Sequence, residues 1–235
     1  EYDPASDNWT TRAPMPSPRF HVTAAVVAGK IYVFGGHDGG SAVATTEMYD
    51  PATDAWVAKT PMPTARYAAR AAVVNGKIYV IGGTAGGGVF LGTNEEYDPA
   101  SDSWLPKQAM PTPRAQSAAA AVNGIIYVMG GDPQAPGADS ANESYDPGTD
   151  IWSSKQPVPT PRNDMPAVEV GGKLYVVGGG LVSGYTDVNE VYDPQADAWT
   201  AAAPMLTSRY ALGAAAISGK IYAFGGYNGG FSASN

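Results

Sequence analysis

The sequence predicts an all-β fold of five four-stranded sheets set round a common axis and closed into a ring. Three observations carry that expectation. Trp occurs at 9, 56, 104, 152 and 199 and nowhere else, each seven residues after the Tyr of a Tyr-Asp-Pro triplet (2–4, 49–51, 97–99, 145–147, 192–194). A Gly-Gly pair (35–36, 82–83, 130–131, 178–179, 225–226) always begins 16 residues after an Arg (19, 66, 114, 162, 209), and each Arg lies 10 residues after a Trp. Charged residues are only 15% of the 235, while Gly and Pro together number 49. That balance suits short strands with punctuated turns rather than long helices. Fixed-period self-similarity of this kind is the signature of repeat architectures.

Each unit reads as four strands, a to d. Strand a follows the Arg, as in Phe20–Val27, and is apolar almost throughout. A Gly turn, Ala28-Gly29-Lys30, leads into strand b, Ile31-Tyr32-Val33-Phe34. Nearly continuous apolar runs fit strands covered on both faces. The segment from Gly-Gly to the next Tyr is 14 or 15 residues, so length varies in one loop per unit, between b and c. Strand c ends in Glu-x-Tyr-Asp-Pro. A short turn such as Ala52-Thr53-Asp54 leads to strand d around Trp56, and Pro61-Met62-Pro63-Thr64 carries the chain to the next unit.

The Arg, the Tyr-x-x-Gly-Gly, the Tyr-Asp-Pro and the Trp together resemble the kelch repeat, five times over and across the whole chain. The resemblance implies a β-propeller whose blades are four-stranded sheets around a channel. The units run 18–64, 65–112, 113–160, 161–207, and 208–235 joined to 1–17. The N-terminus supplies strands c and d of that last unit, through Tyr2 and Trp9. The C-terminus supplies a and b through Phe224, and Phe231–Asn235 would start strand c. The joined unit has 45 residues. A five-bladed ring closed by this mixed blade is therefore expected, although kelch propellers more often have six or seven blades. Closure would remove exposed sheet edges and favour a monomer. The Ala run 118–121 in strand a suits a narrow centre. The rival expectation is a fragment of a larger propeller.

Residues locked to the repeat are read as framework. The Trp and Tyr fill space between blades, the Gly-Gly pairs allow positive φ or close backbone approach, and the repeated Asp bond turn amides. The repeated Arg faces Glu47, Glu95, Glu143 or Glu190 of strand c. Subtracting the framework leaves eight of the 22 acids, one base (Arg70) and seven aromatics outside the repeat and strand b. Phe20, Tyr67 and Tyr210 directly follow the repeated Arg, whereas Phe90, Tyr185, Tyr227 and Phe231 lie in the b–c loops. In a four-stranded meander the d–a connection and the b–c loop share one end of the blade. All seven aromatics therefore map to one face, with His21, His37, Asp38, Asp132, Asp139, Asp164 and Asp187. The expected binding residues are Phe20, His21, Tyr67, Arg70, Phe90, Asp164, Tyr185, Tyr210, Tyr227 and Phe231. The competing account is that these loops merely pack on themselves.

No catalytic or metal site is expected. Without Cys the chain has no disulfide, zinc-thiolate or thiol nucleophile, and the Tyr–Cys copper cofactor of galactose oxidase-like propellers cannot form. Sialic-acid mutarotases are a second enzymatic class among kelch propellers, but no constellation here isolates such a site. His21, His37 and Asp38 sit in one unit but read best as exposed loop residues. Asp164 with Asp132 or Asp187 could be drawn as a glycosidase carboxylate pair, with a separation the sequence does not give. There is no Gly-x-Ser-x-Gly, His-Glu-x-x-His or phosphate loop; Gly86-Gly87-Gly88 punctuates a loop. Two glycosylation sequons, at Asn8 and Asn142, fall in framework strands. A net charge of −8 argues against nucleic-acid partners. No apolar run approaches the roughly 18 residues of a membrane span, and no signal peptide is visible; the compartment is not fixed. The expected function is a non-catalytic propeller, without cofactor, binding a protein or peptide through the b–c/d–a face. The alternatives are a small-molecule or carbohydrate binder with hydrolase or isomerase activity, and an engineered or excised repeat with no evolved ligand.

Overall fold

The computed structural model describes residues 1–133 and 139–230, and every regular element among them is a strand. An N-terminal pair, β1 (Tyr2–Asp3) and β2 (Asn8–Trp9), precedes the first complete sheet, β3 (Thr23–Val27), β4 (Lys30–Phe34), β5 (Thr46–Asp50) and β6 (Ala55–Lys59). The second sheet has β7 (Arg70–Val74) and β8 (Lys77–Ile81), a loop hairpin of β9 (Thr84–Gly86) and β10 (Val89–Phe90), then β11 (Asn94–Asp98) and β12 (Ser103–Lys107). The third has β13 (Arg114–Ala115), β14 (Ala118–Val122), β15 (Ile125–Met129), β16 (Asp132–Pro133), β17 (Asn142–Asp146) and β18 (Ile151–Ser154). The fourth has β19 (Ala167–Val170), β20 (Lys173–Val177), β21 (Asn189–Asp193) and β22 (Ala198–Ala202), and β23 (Gly213–Ile217) and β24 (Lys220–Phe224) follow. The four complete sheets are antiparallel meanders in chain order. Strand a begins at Thr23 rather than at Phe20, which instead makes an isolated bridge to His37.

Strands a and b are joined by two residues with positive φ, such as Ala28 and Gly29 or Asn75 and Gly76. That is the turn whose twist matches a hairpin. The Gly-Gly pairs answer to close approach. The Gly83 amide donates to the carbonyl of Arg114 in the next unit at 3.0 Å, and a Cβ on Gly82 would lie 2.6 Å from that same oxygen. Each repeated Arg of the complete sheets pairs with its strand-c Glu: Arg19 with Glu47, Arg66 with Glu95, Arg114 with Glu143 and Arg162 with Glu190. Arg66, Arg114 and Arg162 are fully buried and also donate to a strand-b carbonyl, that of Val80, Val128 and Val176.

Neighbouring sheets are clamped by a second repeated device. Asp102 accepts from its own Tyr97 hydroxyl and from the Thr60 amide of the preceding unit, while Trp104 Nε1 donates to the Thr60 carbonyl. Asp54 and Trp56 hold Ala13 in this way, Asp150 and Trp152 hold Gln108, and Asp197 and Trp199 hold Gln156. The Tyr and Trp rings also pack across the boundary: Tyr97 lies 5.8 and 5.7 Å from Tyr32 and Phe34, and Trp104 lies 5.5 Å from Phe34.

The terminal pairs correct the expected closure. Among the described residues, β1–β2 and β23–β24 are separate two-stranded sheets, so the mixed fifth blade does not form. The reason lies in the packing of Tyr2 and Trp9. Tyr2 sits 6.2 and 5.7 Å from Tyr222 and Phe224, and Trp9 sits 5.8 Å from Phe224. These are the contacts that Tyr97 and Trp104 make with a neighbouring sheet, not with their own. The N-terminal pair thus stands as the next sheet in the series. Successive a strands β3, β7, β14, β19 and β23 lie side by side, but β23 and β3, which a closed ring of five would bring together, make no comparable contact.

Candidate binding face

Bridges between the d–a connections and the b–c loops put both on one end of the molecule: Phe20 with His37, Tyr67 with Thr84, Asn163 with Gly180, and Tyr210 with Tyr227. At this end the residue two beyond each repeated Arg (His21, Ala68, Gln116, Asp164, Ala211) has positive φ. Their backbones are linked in series. The Ala68 amide donates to His21 O, Gln116 to Ala68 O, Asp164 to Gln116 O and Ala211 to Asp164 O, at 2.8–2.9 Å. The strands descending from this rim border an open cavity of about 550 Å³, lined by His21, Arg70, Asp164 and the small residues of the a strands.

Two aromatic groups flank the cavity. In the first, Phe20 lies 5.4 Å from His21 and 4.9 Å from His37, and Tyr67 lies 6.1 and 5.2 Å from the same two imidazoles. Phe20 is 52% exposed. In the second, Tyr210 stands between Tyr185 and Tyr227, at 6.2 and 5.6 Å. Phe90 pairs through its backbone with Thr84 in the loop beside Tyr67 and joins neither ring cluster among the described contacts. Phe231 lies outside the described residues. His37, placed on this face by the sequence but not among the expected binding residues, ties Phe20 to Tyr67 together with His21. The single signal for it was its position directly after Gly-Gly.

Within the cavity Asp164 is only 8% exposed. It accepts from Gln116 Nε2 at 2.7 Å and faces Arg70 at 3.5 Å, whose Nε donates to Ser117 O. Burial raises the Asp164 carboxyl, against the pull of Arg70 and then His21. Asp132 is raised too, by its own burial and then by the nearby Asp164 charge. Arg70 and Asp164 come from different sheets, so sequence position alone paired neither with the other. Among the described residues no three His, Asp or Glu side chains converge as a metal site would require.

The Kelch-repeats domain model described as KLHDC2/KLHL20/DRC7 matches residues 2–131, and the Kelch motif model matches 113–159, 161–206 and 208–235. The chain belongs to the kelch-repeat family. Its sheets are the blades of a kelch β-propeller. Among solved structures it is similar to one titled "Structure of YjhT", with a TM-score of 0.83 at 20% identity, over 97% of this chain and 83% of that one. At that identity the likeness concerns the fold. No curated protein matches. The first aromatic group meets this cavity through Phe20 and His21, and the second lies beside it through Tyr210, the neighbour of the lining residue Ala211. No helix among the described residues is long and apolar enough to cross a membrane.

Proposed function

We propose that this kelch propeller is a non-catalytic binding module whose loop-bearing end takes a protein or peptide. The observation carrying this reading is the pair of aromatic groups, Phe20–His37–Tyr67 and Tyr185–Tyr210–Tyr227, on the rim of one cavity. Aromatic side chains give large contact area at low entropic cost and dominate binding hot spots. Arg70 and Asp164 face each other at 3.5 Å in the cavity and are placed to orient a ligand's polar group. Peptides selected from a displayed random library on the wild-type protein should lose about tenfold or more in affinity on Tyr67→Ala or Tyr210→Ala. Selected peptides indifferent to both substitutions would reject the reading.

The cavity favours a second reading, a small polar ligand or carbohydrate held within it. Its volume, about 550 Å³, falls in the range of small-molecule sites. Ligands found by screening that bind the wild type and not Arg70→Ala, with Tyr210→Ala unaffected, would support this reading over the first.

A further inference from the structure

We infer that the outer side of the fifth sheet, along β24, is a docking site for a β-hairpin of the repeat's own c–d type, carrying Tyr-Asp-Pro, a second Asp and a Trp. Four observations on different residues converge there. The first is the open edge. In each complete sheet strand b is hydrogen-bonded on both sides, as β4 is by β3 and β5, whereas β24 pairs only with β23 among the described residues. The second is Ala203. It is the counterpart of Ala13, Thr60, Gln108 and Gln156, whose amide and carbonyl are each clamped by an Asp and a Trp of the next unit. Among the described residues no Asp or Trp reaches Ala203, whose carbonyl accepts only the Asn189 amide. Trp9 does not fill that place: it stands 63% exposed and packs on Phe224.

The third is Tyr175. The strand-b tyrosines Tyr32, Tyr79, Tyr127 and Tyr222 each meet a strand-c tyrosine of the following unit: Tyr97, Tyr145, Tyr192 and Tyr2. Tyr175 meets no ring among the described residues and is less buried than Tyr32, Tyr79 and Tyr127. The fourth is Lys220. Its counterparts Lys30, Lys77 and Lys173 bond the Asp of Tyr-Asp-Pro, Asp50, Asp98 and Asp193. Lys220 has no carboxylate within ion-pair distance among the described residues. One hairpin laid antiparallel on β24 answers all four at once. Its strand c supplies hydrogen bonds to the edge, its Tyr covers Tyr175, its first Asp meets Lys220, and its second Asp and Trp clamp Ala203. This is strand addition with side-chain specificity, and the four complete blades define the chemistry the partner must carry.

The probe is a fluorescein-labelled peptide with the sequence of residues 94–107, added to the intact chain. It should bind saturably at one site, and amide hydrogen exchange should slow in Lys220–Phe224 and not in Lys77–Ile81. Replacing Trp104 or Tyr97 by Ala in the peptide should weaken binding about tenfold or more; because these changes are in the peptide, the fold of the protein is untouched. Tyr175→Ala in the protein should weaken it as well. Absence of binding at millimolar peptide, binding that leaves the β24 amides unprotected, or binding indifferent to the loss of Trp104 would each overturn the inference.

Discussion

Strand pairs β7–β8 and β23–β24 are written in nearly the same residues. One reads Arg-Ala-Ala-Val-Val, Asn-Gly, Lys-Ile-Tyr-Val-Ile; the other reads Gly-Ala-Ala-Ala-Ile, Ser-Gly, Lys-Ile-Tyr-Ala-Phe. Both form a hairpin in the same register over the same positive-φ turn. Their surroundings differ. β7–β8 has a sheet on either side and two further strands, and Ile78 and Val80 are fully buried. Among the described residues β23–β24 has no further strand in its sheet, and Ile217 is 44% exposed. Local sequence therefore dictates the hairpin, while burial comes from the neighbours. In a repeat protein, stability is close to a sum of unit terms and nearest-neighbour interface terms. The two pairs share the first and differ in the second.

The largest effect should come from the buried ion pair of the complete sheet. Glu95→Ala leaves the Arg66 guanidinium buried without its carboxylate and should cost about 3–5 kcal/mol in urea unfolding. Glu1→Ala, which removes the exposed partner of Arg12 at the chain end, should not shift the urea midpoint measurably. Equal losses from the two would erase the distinction between filled and half-filled positions. Next, Trp104→Ala removes a half-buried ring and an interblade hydrogen bond and should cost about 2–3 kcal/mol, below the range for a fully buried Trp. Trp9→Ala should cost under about 1 kcal/mol. Hydrogen exchange should then rank the hairpins directly, with β23–β24 amides exchanging about tenfold or more faster than those of β7–β8.

The smallest effect is in acid. The Lys77 ammonium, followed by the Ala100 amide, holds the Asp98 carboxyl at about 2, below its ordinary 3.8. A carboxyl depressed in the folded state contributes stability above its unfolded pKa and loses it as pH falls through the folded value. Lys77→Met should therefore flatten the fall in urea midpoint between about pH 4 and pH 2. Lys220→Met, in the half-filled sheet, should leave the acid limb unchanged. A matching response at Lys220 would mean that a carboxylate already sits there.

Much of the scaffold was legible because its parts are short-range and repeated. The four strands, the a–b turn, the Arg–Glu pairs and the placing of Phe20, Tyr67, Tyr185, Tyr210 and Tyr227 at one end all follow from fixed spacings. Closure was not legible, since the ends have the right strands for a shared blade, and only the packing of Tyr2 on Tyr222 and Phe224 reveals a different position for them. The repeated Asp before each Trp was read as a turn former; its reach across the boundary to Thr60 or Gln108 depends on how the sheets are set against one another. For the same reason the Arg70–Asp164 pairing escaped notice, being a contact between residues of different sheets brought together at the axis.

The backbone series from His21 through Ala68, Gln116 and Asp164 to Ala211 uses only N–H and C=O groups, so it holds whether the residue is His, Ala, Gln or Asp. Three of those positions, His21, Asp164 and Ala211, line the cavity. The mouth is accordingly built like a row of identical sockets in which the side chain is an exchangeable fitting. Substitution at any one of them changes what the opening offers to a visitor without rewriting the frame, and a family of mouths with different chemistry is reachable from this chain by single residues.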